Sequence, residues 1–293
     1  MWLYYGLLSA FFNAIANIAR RTHGSLAQPA ELSWWALLFG LPPSIGLLMV
    51  SNTPAYTSYG FVVPALIGGL LNTFASVYQY RAYKLADASL VSPIANFLPL
   101  LMVGTSFLML GVLPGWGAFA GIILVVCGVY YSSVSGKHAL THPLKQMFRN
   151  RGSRAMLITV VIWSITANLD RIALRSASPS FLQLLGGVII FTLLSLYLLS
   201  QPQHKRFLRG EKVLRKWGWH IAAISLFAML AVFFQLHAVA LVSNPSYVLA
   251  VKRLDVLMTI LFAGLFLREK HILKRFKGAV IAAIGVALIV IFS

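Results

Sequence analysis

Residues 79–102 read QYRAYKLADASLVSPIANFLPLLM, and residues 235–258 read QLHAVALVSNPSYVLAVKRLDVLM. At this constant offset of 156 positions Gln79 falls on Gln235, Ala82 on Ala238, Leu85 on Leu241, Leu98 on Leu254, Leu101 on Leu257 and Met102 on Met258. With one residue inserted, Gly121, Gly128 and Val129 then fall on Gly278, Gly285 and Val286. The starts of the halves also correspond, since Ala16-Asn17-Ile18-Ala19-Arg20 resembles Ala167-Asn168-Leu169-Asp170-Arg171. A repeat of about half the chain is far longer than a solenoid unit and marks a duplicated bundle. In so apolar a chain it points to a carrier with its site between the halves.

Of 293 residues 59% are hydrophobic and 10% charged, against about 25% charged in soluble domains. A soluble fold could not hide that much apolar surface. The charges cluster and leave apolar runs of the roughly 20 residues that cross a hydrocarbon layer about 30 Å thick. The net charge of +18 suggests nucleic acid at first sight. The basic residues sit in short segments between apolar runs, however, so nucleic acid is excluded as a partner and the lipid bilayer takes its place. Cys127 is the only cysteine. It allows no internal disulfide or thiolate metal cluster and is expected to be a buried packing residue. No charge precedes Arg20, so the first apolar segment is read as a retained span, not a cleaved signal.

Ten spans are expected, near 2–19, 32–51, 60–80, 88–110, 114–134, 155–174, 178–200, 218–242, 245–267 and 276–292. Backbone in lipid must satisfy its own hydrogen bonds, and these runs show no strand alternation, so every span is a helix. The fold class is thus all-α integral membrane: ten transmembrane helices as two inverted five-helix repeats. Residues 1–134 form the first repeat, 135–154 a basic linker broken by Gly136, Pro143 and Gly152, and 155–293 the second. An odd number of helices per unit makes the second unit enter from the opposite face.

The loops after spans one, three, five, seven and nine hold 20 of the 24 Lys and Arg. Positive-inside places those loops, the linker included, in the cytoplasm and both termini outside.

Lys252 and Arg253 stand seven to eight residues into span nine. A cation near the bilayer centre costs roughly 2.5–3.5 kcal/mol on insertion scales and usually faces a cavity or partner. Asp255 lies at i+3 from Lys252, so a structural pair is the competing reading. Asn96 holds the place of Lys252 in the first half, between Pro93 and Pro99. Two prolines there free carbonyls and bend span four, either to line a cavity or to pack. Asn17, Asn168, Asp170 and Arg171 cluster near the ends of spans one and six; an ion pair, a gate or a proton-coupling site are the readings. Trp163, Ala167, Asp170 and Leu174 share one helix face. Gln79 and Gln235 are amides on apolar helices, giving either inter-helix bonds or substrate contacts. His237 is either a titrating group or a satisfied structural one. The glycines of spans five and ten, in GxxxG-like spacing, are read as packing or homodimer contacts. No Walker A, H-E-x-x-H or GxSxG sequence occurs and no paired carboxylates stand out. No enzyme activity, cofactor or metal is therefore expected, and movement must be driven by a proton or other ion gradient.

The stretch A-x-x-L-A-D-A-S-L-V-S-P-I-A-N-F-L-P-L, with G-x-I-L-V-V-C-G-V-Y after it, resembles the EamA domain of the drug/metabolite transporter superfamily. So does Y-V-L-A-V-K-R-L-D-V-L-M-T-I-L-F-A-G-L-F-L-R-E-K, running into G-A-V-I-A-A-I-G-V-A-L-I-V. The resemblance covers essentially the whole chain as two units. It implies a ten-helix secondary transporter, typically an exporter of an amino acid or other metabolite, working by alternating access in the bacterial inner (cytoplasmic) membrane. Leu113-Pro114 stands where the second half has Glu269-Lys270, and ten-helix relatives are usually described with cytoplasmic termini, opposite to the charge count. The alternative is a flippase for a lipid-linked sugar or glycolipid.

The expected cavity lies near the midplane between the units, lined by spans one, three and four and by six, eight and nine. Lys252 or Arg253 would hold a carboxylate or phosphate, while Asn96, Gln79 and Gln235 supply hydrogen bonds. Trp163, Tyr78 and Tyr80 would be aromatic walls. Asp170, Arg171, Asp255, Asn17 and Asn168 are the coupling or gating candidates.

Overall fold

The computed structural model describes residues 1–23, 29–51, 53–86, 88–133, 148–200, 211–267 and 272–293. Side chains 19–23, 29–32, 80, 88–89, 92, 211–217, 260, 263–267 and 272–276 fall outside the description. Most of the basic linker and the Arg-Glu-Lys after span nine lie outside the described residues.

The described chain is helical: α1 (Trp2–His23), α2 (Pro29–Val50), α3 (Val62–Leu85), α4 (Ala88–Ala95), α5 (Leu98–Leu110), α6 (Trp116–Ser133), α7 (Arg151–Ala173), α8 (Pro179–Ser200), α9 (Glu211–Ala240), α10 (Ser246–Lys252), α11 (Leu254–Leu267) and α12 (Ile272–Phe292). A single turn of 3-10 helix at Tyr59–Phe61 leads into α3. Among the described residues seven helical stretches are long and apolar enough to span a bilayer. Pairing α4 with α5 as span four and α10 with α11 as span nine gives the ten spans of the sequence reading.

Helix ends run past the apolar stretches. α1 reaches His23, α9 begins at Glu211 and α12 at Ile272, because charges bar a residue from hydrocarbon but not from a helix. Span six begins at Arg151, with Asn150 as its N-cap: Asn150 Oδ1 accepts from Gly152 N at 2.8 Å and Ser153 N at 3.2 Å. Asn150→Ala should lower stability by about 1 kcal/mol, read as a small drop in Tm.

Spans four and nine break at equivalent places. α4 ends at Ala95 and α5 begins at Leu98; α10 ends at Lys252 and α11 begins at Leu254, 156 positions on. In the first break Asn96 N and Phe97 N donate three residues back, to Pro93 O at 3.2 Å and Ile94 O at 3.1 Å. Pro99 forces this, since it lacks an N–H and its ring crowds the carbonyl four residues earlier. The second break has no proline. Asp255 occupies the place of Pro99 in the first turn of α11, where an acid is favoured by the helix dipole. Two residue types suited to a helix start restart the helix at the same point. α5 then stops at Gly111, whose φ of +69° is the left-handed C-cap that glycine adopts without strain.

The most extensive packing joins the halves rather than building each one. α6 lies on α12, α3 on α7, and α1 on α9, and α2 and α8 touch each other. Spans five and ten carry the geometry of the repeat. A Cβ on Gly128 would stand 2.5 Å from Gly278 O, and one on Gly278 would stand 2.4 Å from Gly128 O. Gly121 and Gly285 meet the same way, at 2.6 Å in both directions. The repeat matches Gly121 with Gly278 and Gly128 with Gly285, so exchanging the halves turns one contact into the other. Antiparallel helices that exchange like this are related by a two-fold perpendicular to their axes, which lies in the membrane plane. These glycines are spent inside one chain, with backbones close enough for Cα–H···O contacts. Cys127, expected to be buried, is exposed; an apolar side chain on an outer helix face is at home against lipid.

Candidate functional site

A cavity of about 320 Å³, within the range of small-molecule sites, lies among α2, α3, α8 and α9, with Asp170 of α7 in its wall. The pseudo-two-fold runs through it. From α3 come Gly69, Asn72 and Ser76, and from α9 their equivalents 156 residues later, Ser225, Ala228 and Val232. On α2 the lining falls on Ser33, Ala36, Leu37, Gly40, Leu41 and Ser44, one helical face. α8 contributes Leu182, Gln183, Gly186, Gly187 and Ile190 with the same periodicity. Spans two and seven thus replace one, four, six and nine as the main walls, apart from Asp170. The helices expected to line the cavity were chosen for their polar residues, whereas this lining is mostly small residues that leave room.

Aromatic clusters stand at the two ends. Tyr56, Phe61 and Phe181 pack in tilted and edge-to-face pairs with centroids 5.3–5.7 Å apart, beside Ala65, Leu182 and Leu236. Here the loop after span two is stitched to the loop after span six: Thr57 N donates to Ser176 O at 2.8 Å and Ser178 N to Ala55 O at 2.9 Å, around an antiparallel bridge between Tyr56 and Ala177. This is the charge-poor face. Toward the other face Trp35, Leu194, Leu198 and Ile221 pack together, and Trp34 Nε1 donates to Ser195 Oγ at 2.6 Å.

Of the sequence candidates, Asp170 and Gln235 line the cavity. Lys252 Nζ donates to Gln235 Oε1, so it stands one hydrogen bond behind the wall. Held that way, Gln235 keeps its Nε2 as an unspent donor among the described residues. Arg253 does not line the cavity; its Nε is buried without a partner, and among the described residues Asp255 and the Tyr83 hydroxyl lie near it. Asp255 is buried and accepts from Asn13 Nδ2 of α1, with Oδ1 unpartnered. Beside any pairing of Lys252 with Asp255, each is held to another helix, Lys252 by Gln235 and Asp255 by Asn13.

Asn96 is buried and donates to Ser133 Oγ at 3.1 Å, tying the break of span four to span five. Asn168 is saturated: its amide donates to Thr105 Oγ1 at 3.0 Å and Ser164 O at 2.8 Å and accepts from Ser106 Oγ at 2.8 Å. Trp163 and Tyr78 pack on the apolar core, with the Arg81 guanidinium 5.7 Å over the Tyr78 ring. Gln79 is half-buried outside the lining, Asn17 lies on α1, and the Tyr80 side chain is outside the description. His237 Nδ1 is 2.8 Å from Phe233 O. Asp170 and Arg171 form no ion pair among the described residues; the like charge of Arg175 is what Arg171 meets.

Sequence reasoning passed over Asn72, Gln183 and the glycine faces. Thr166 Oγ1 donates to Asn72 Oδ1 at 3.3 Å. Gln183 Nε2 donates to Met229 O at 3.1 Å, leaving Oε1 buried without a donor. The available signal was the doublets Gly68-Gly69 and Gly186-Gly187, where small residues keep volume open between spans.

Helices that pair into ten spans, in two inverted sets around a largely apolar cavity, define a multi-pass integral membrane protein with a transporter-like fold. The chain belongs to the EamA-like transporter family, whose profile matches residues 1–134 and 150–291 as two units. A solved structure titled "Crystal structure of protein" is similar in fold, with a TM-score of 0.73 at 16% identity, covering 98% of this chain and 95% of that one. No curated protein matches the chain.

Proposed function

We propose that the protein is a secondary active carrier that exports a small metabolite of about amino-acid size by alternating access between its two repeats, driven by an ion gradient. One observation carries the reading: the cavity sits on the pseudo-two-fold and is walled by equivalent positions of both halves. Swapping the conformations of two such halves opens the same cavity to the other face. The aromatic cluster and backbone stitching at the charge-poor face fit a state closed on that side. Spans two and seven, the least buried, pack on each other, which favours a solute path through the bundle over a lipid path from its side. Asp170 and Gln235 are the proposed wall contacts, with Lys252 positioning the Gln235 amide. Arg253 and Asp255, at the break of span nine, are proposed to rearrange during the switch.

The test is flux into proteoliposomes with a panel of amino acids, amines, organic acids and nucleosides. Gly40 and Gly186 line the cavity, and a Cβ there would meet nothing within 4 Å. Gly40→Leu and Gly186→Leu should therefore fill the site without disturbing the fold, cutting flux at least about tenfold (about 1.4 kcal/mol in barrier) at unchanged Tm. Undiminished flux through both variants would place the route elsewhere.

A further inference from the structure

We propose that Asp170 makes the cavity a site for an ammonium group, so that the solute is an organic amine or carries one at the end that enters the wall. This rests on the carrier reading above and names the chemistry of the same site. The lining holds one carboxylate and, among the described residues, no lysine, arginine or histidine. Arg171 leaves the helix about 100° away from Asp170, and Asp170 has no hydrogen bond or ion pair to a described side chain. A carboxylate on a spanning helix is expensive to keep without a counter-charge and is retained where a cation is met.

A second acceptor belongs to another residue of the lining, Gln183. The contact to Met229 O fixes which way the Gln183 amide points, and its Oε1 is left unspent. An ammonium group offers three donors and no acceptor, which suits one carboxylate and one amide oxygen. A carboxylate or phosphate end would bring acceptor against acceptor at Asp170 and at Gln183 Oε1. Among the described residues Lys252 does not line the cavity and donates to Gln235 Oε1, a residue of its wall. The remainder of the lining is mostly glycine, alanine, leucine, isoleucine, methionine and valine, interrupted by four serines, Asn72 and Gln235, which accommodates a largely apolar body behind the charged end.

The test uses the purified full-length protein in detergent at pH 8 and a matched series: 2-phenylethylamine, phenylalanine and 3-phenylpropanoate, with linear monoamines and diamines beside them. Binding is read by calorimetry and by the shift in Tm. At least one amine is expected to bind at millimolar concentration or below, and the carboxylate without an amine should bind at least tenfold more weakly than its amine counterpart. Asp170→Asn should weaken amine binding at least tenfold, Asp170→Glu should restore part of it, and Gln183→Leu should weaken it severalfold. Each variant is first checked for a monodisperse elution peak, and the Glu variant stands in should the Asn variant not fold. The inference is overturned if no amine binds, if the carboxylate binds as tightly as the amine, or if the Asp170→Asn protein keeps the amine affinity. A solute carried equally well by wild type and Asp170→Asn would remove the ammonium site and leave the carrier reading. Amine binding without flux of any solute would do the reverse.

Discussion

Gly128→Leu and Gly278→Leu each remove the protein from its folded, monodisperse state. In either variant the new side chain starts within 2.5 Å of the facing backbone oxygen, which belongs to a helix and cannot rotate away. Spans five and ten must separate, and the close contact at Gly121 and Gly285 opens with them. Overpacking a core costs typically 1–3 kcal/mol when side chains can give way. Here only backbone can, so a loss of at least about 3 kcal/mol is expected, a Tm drop on the order of 10 °C. Gly104→Leu is the control, because a Cβ there meets nothing within 4 Å and the residue is exposed. A size-exclusion profile and a thermal melt for the three variants decide the matter. Equal stability of all three would mean that the span five–ten crossing is not close.

Cross-linking the charge-poor face stops transport. Tyr56 and Ala177 oppose each other between the hydrogen bonds Thr57 N→Ser176 O and Ser178 N→Ala55 O. They therefore form a non-hydrogen-bonded antiparallel pair, with Cα atoms about 4.5 Å apart, inside the span a disulfide requires. Tyr56→Cys with Ala177→Cys, made in a Cys127→Ala background because Cys127 is exposed, should oxidise readily. Flux in proteoliposomes is then expected to fall more than tenfold and to return on reduction with dithiothreitol. The reduced double variant, which lacks the Tyr56 ring, calibrates the loss due to the ring alone. Full flux in the oxidised protein would show that this face need not open.

The architecture was legible because a bilayer leaves few choices: apolar runs of span length must be helices, and a duplicated odd number of them must be inverted. The break in span four was readable from Pro99. Its twin in span nine carried no proline and was readable only through the repeat, which sets Asp255 on Pro99. The lining of the candidate cavity was legible in part. Asp170 and Gln235 stood out as polar groups on apolar helices, and both line the cavity. The same criterion selected Asn96 and Asn168, whose amides are bonded to Ser133 in one case and to Thr105, Ser106 and Ser164 in the other. Sequence does not say whether an amide in a membrane is spent on a neighbouring helix or kept for a solute. Spans two and seven were missed because their share of the wall is mostly glycine, alanine and leucine, and Ser33, Ser44 and Gln183 are too weak a polar signature to single them out.

The inverted two-fold is tested most directly by the sidedness of equivalent ends. Phe148, in the linker between spans five and six, and Ser293, just after span ten, are both exposed and lie beyond the ends of corresponding spans. Phe148→Cys and Ser293→Cys, each in the Cys127→Ala background, are treated in intact cells with a membrane-impermeant maleimide, before and after permeabilisation. Inverted repeats predict opposite outcomes, with Ser293→Cys labelled from outside and Phe148→Cys only after the membrane is opened. Labelling of both from one side would mean that the halves run parallel, and the account would fail.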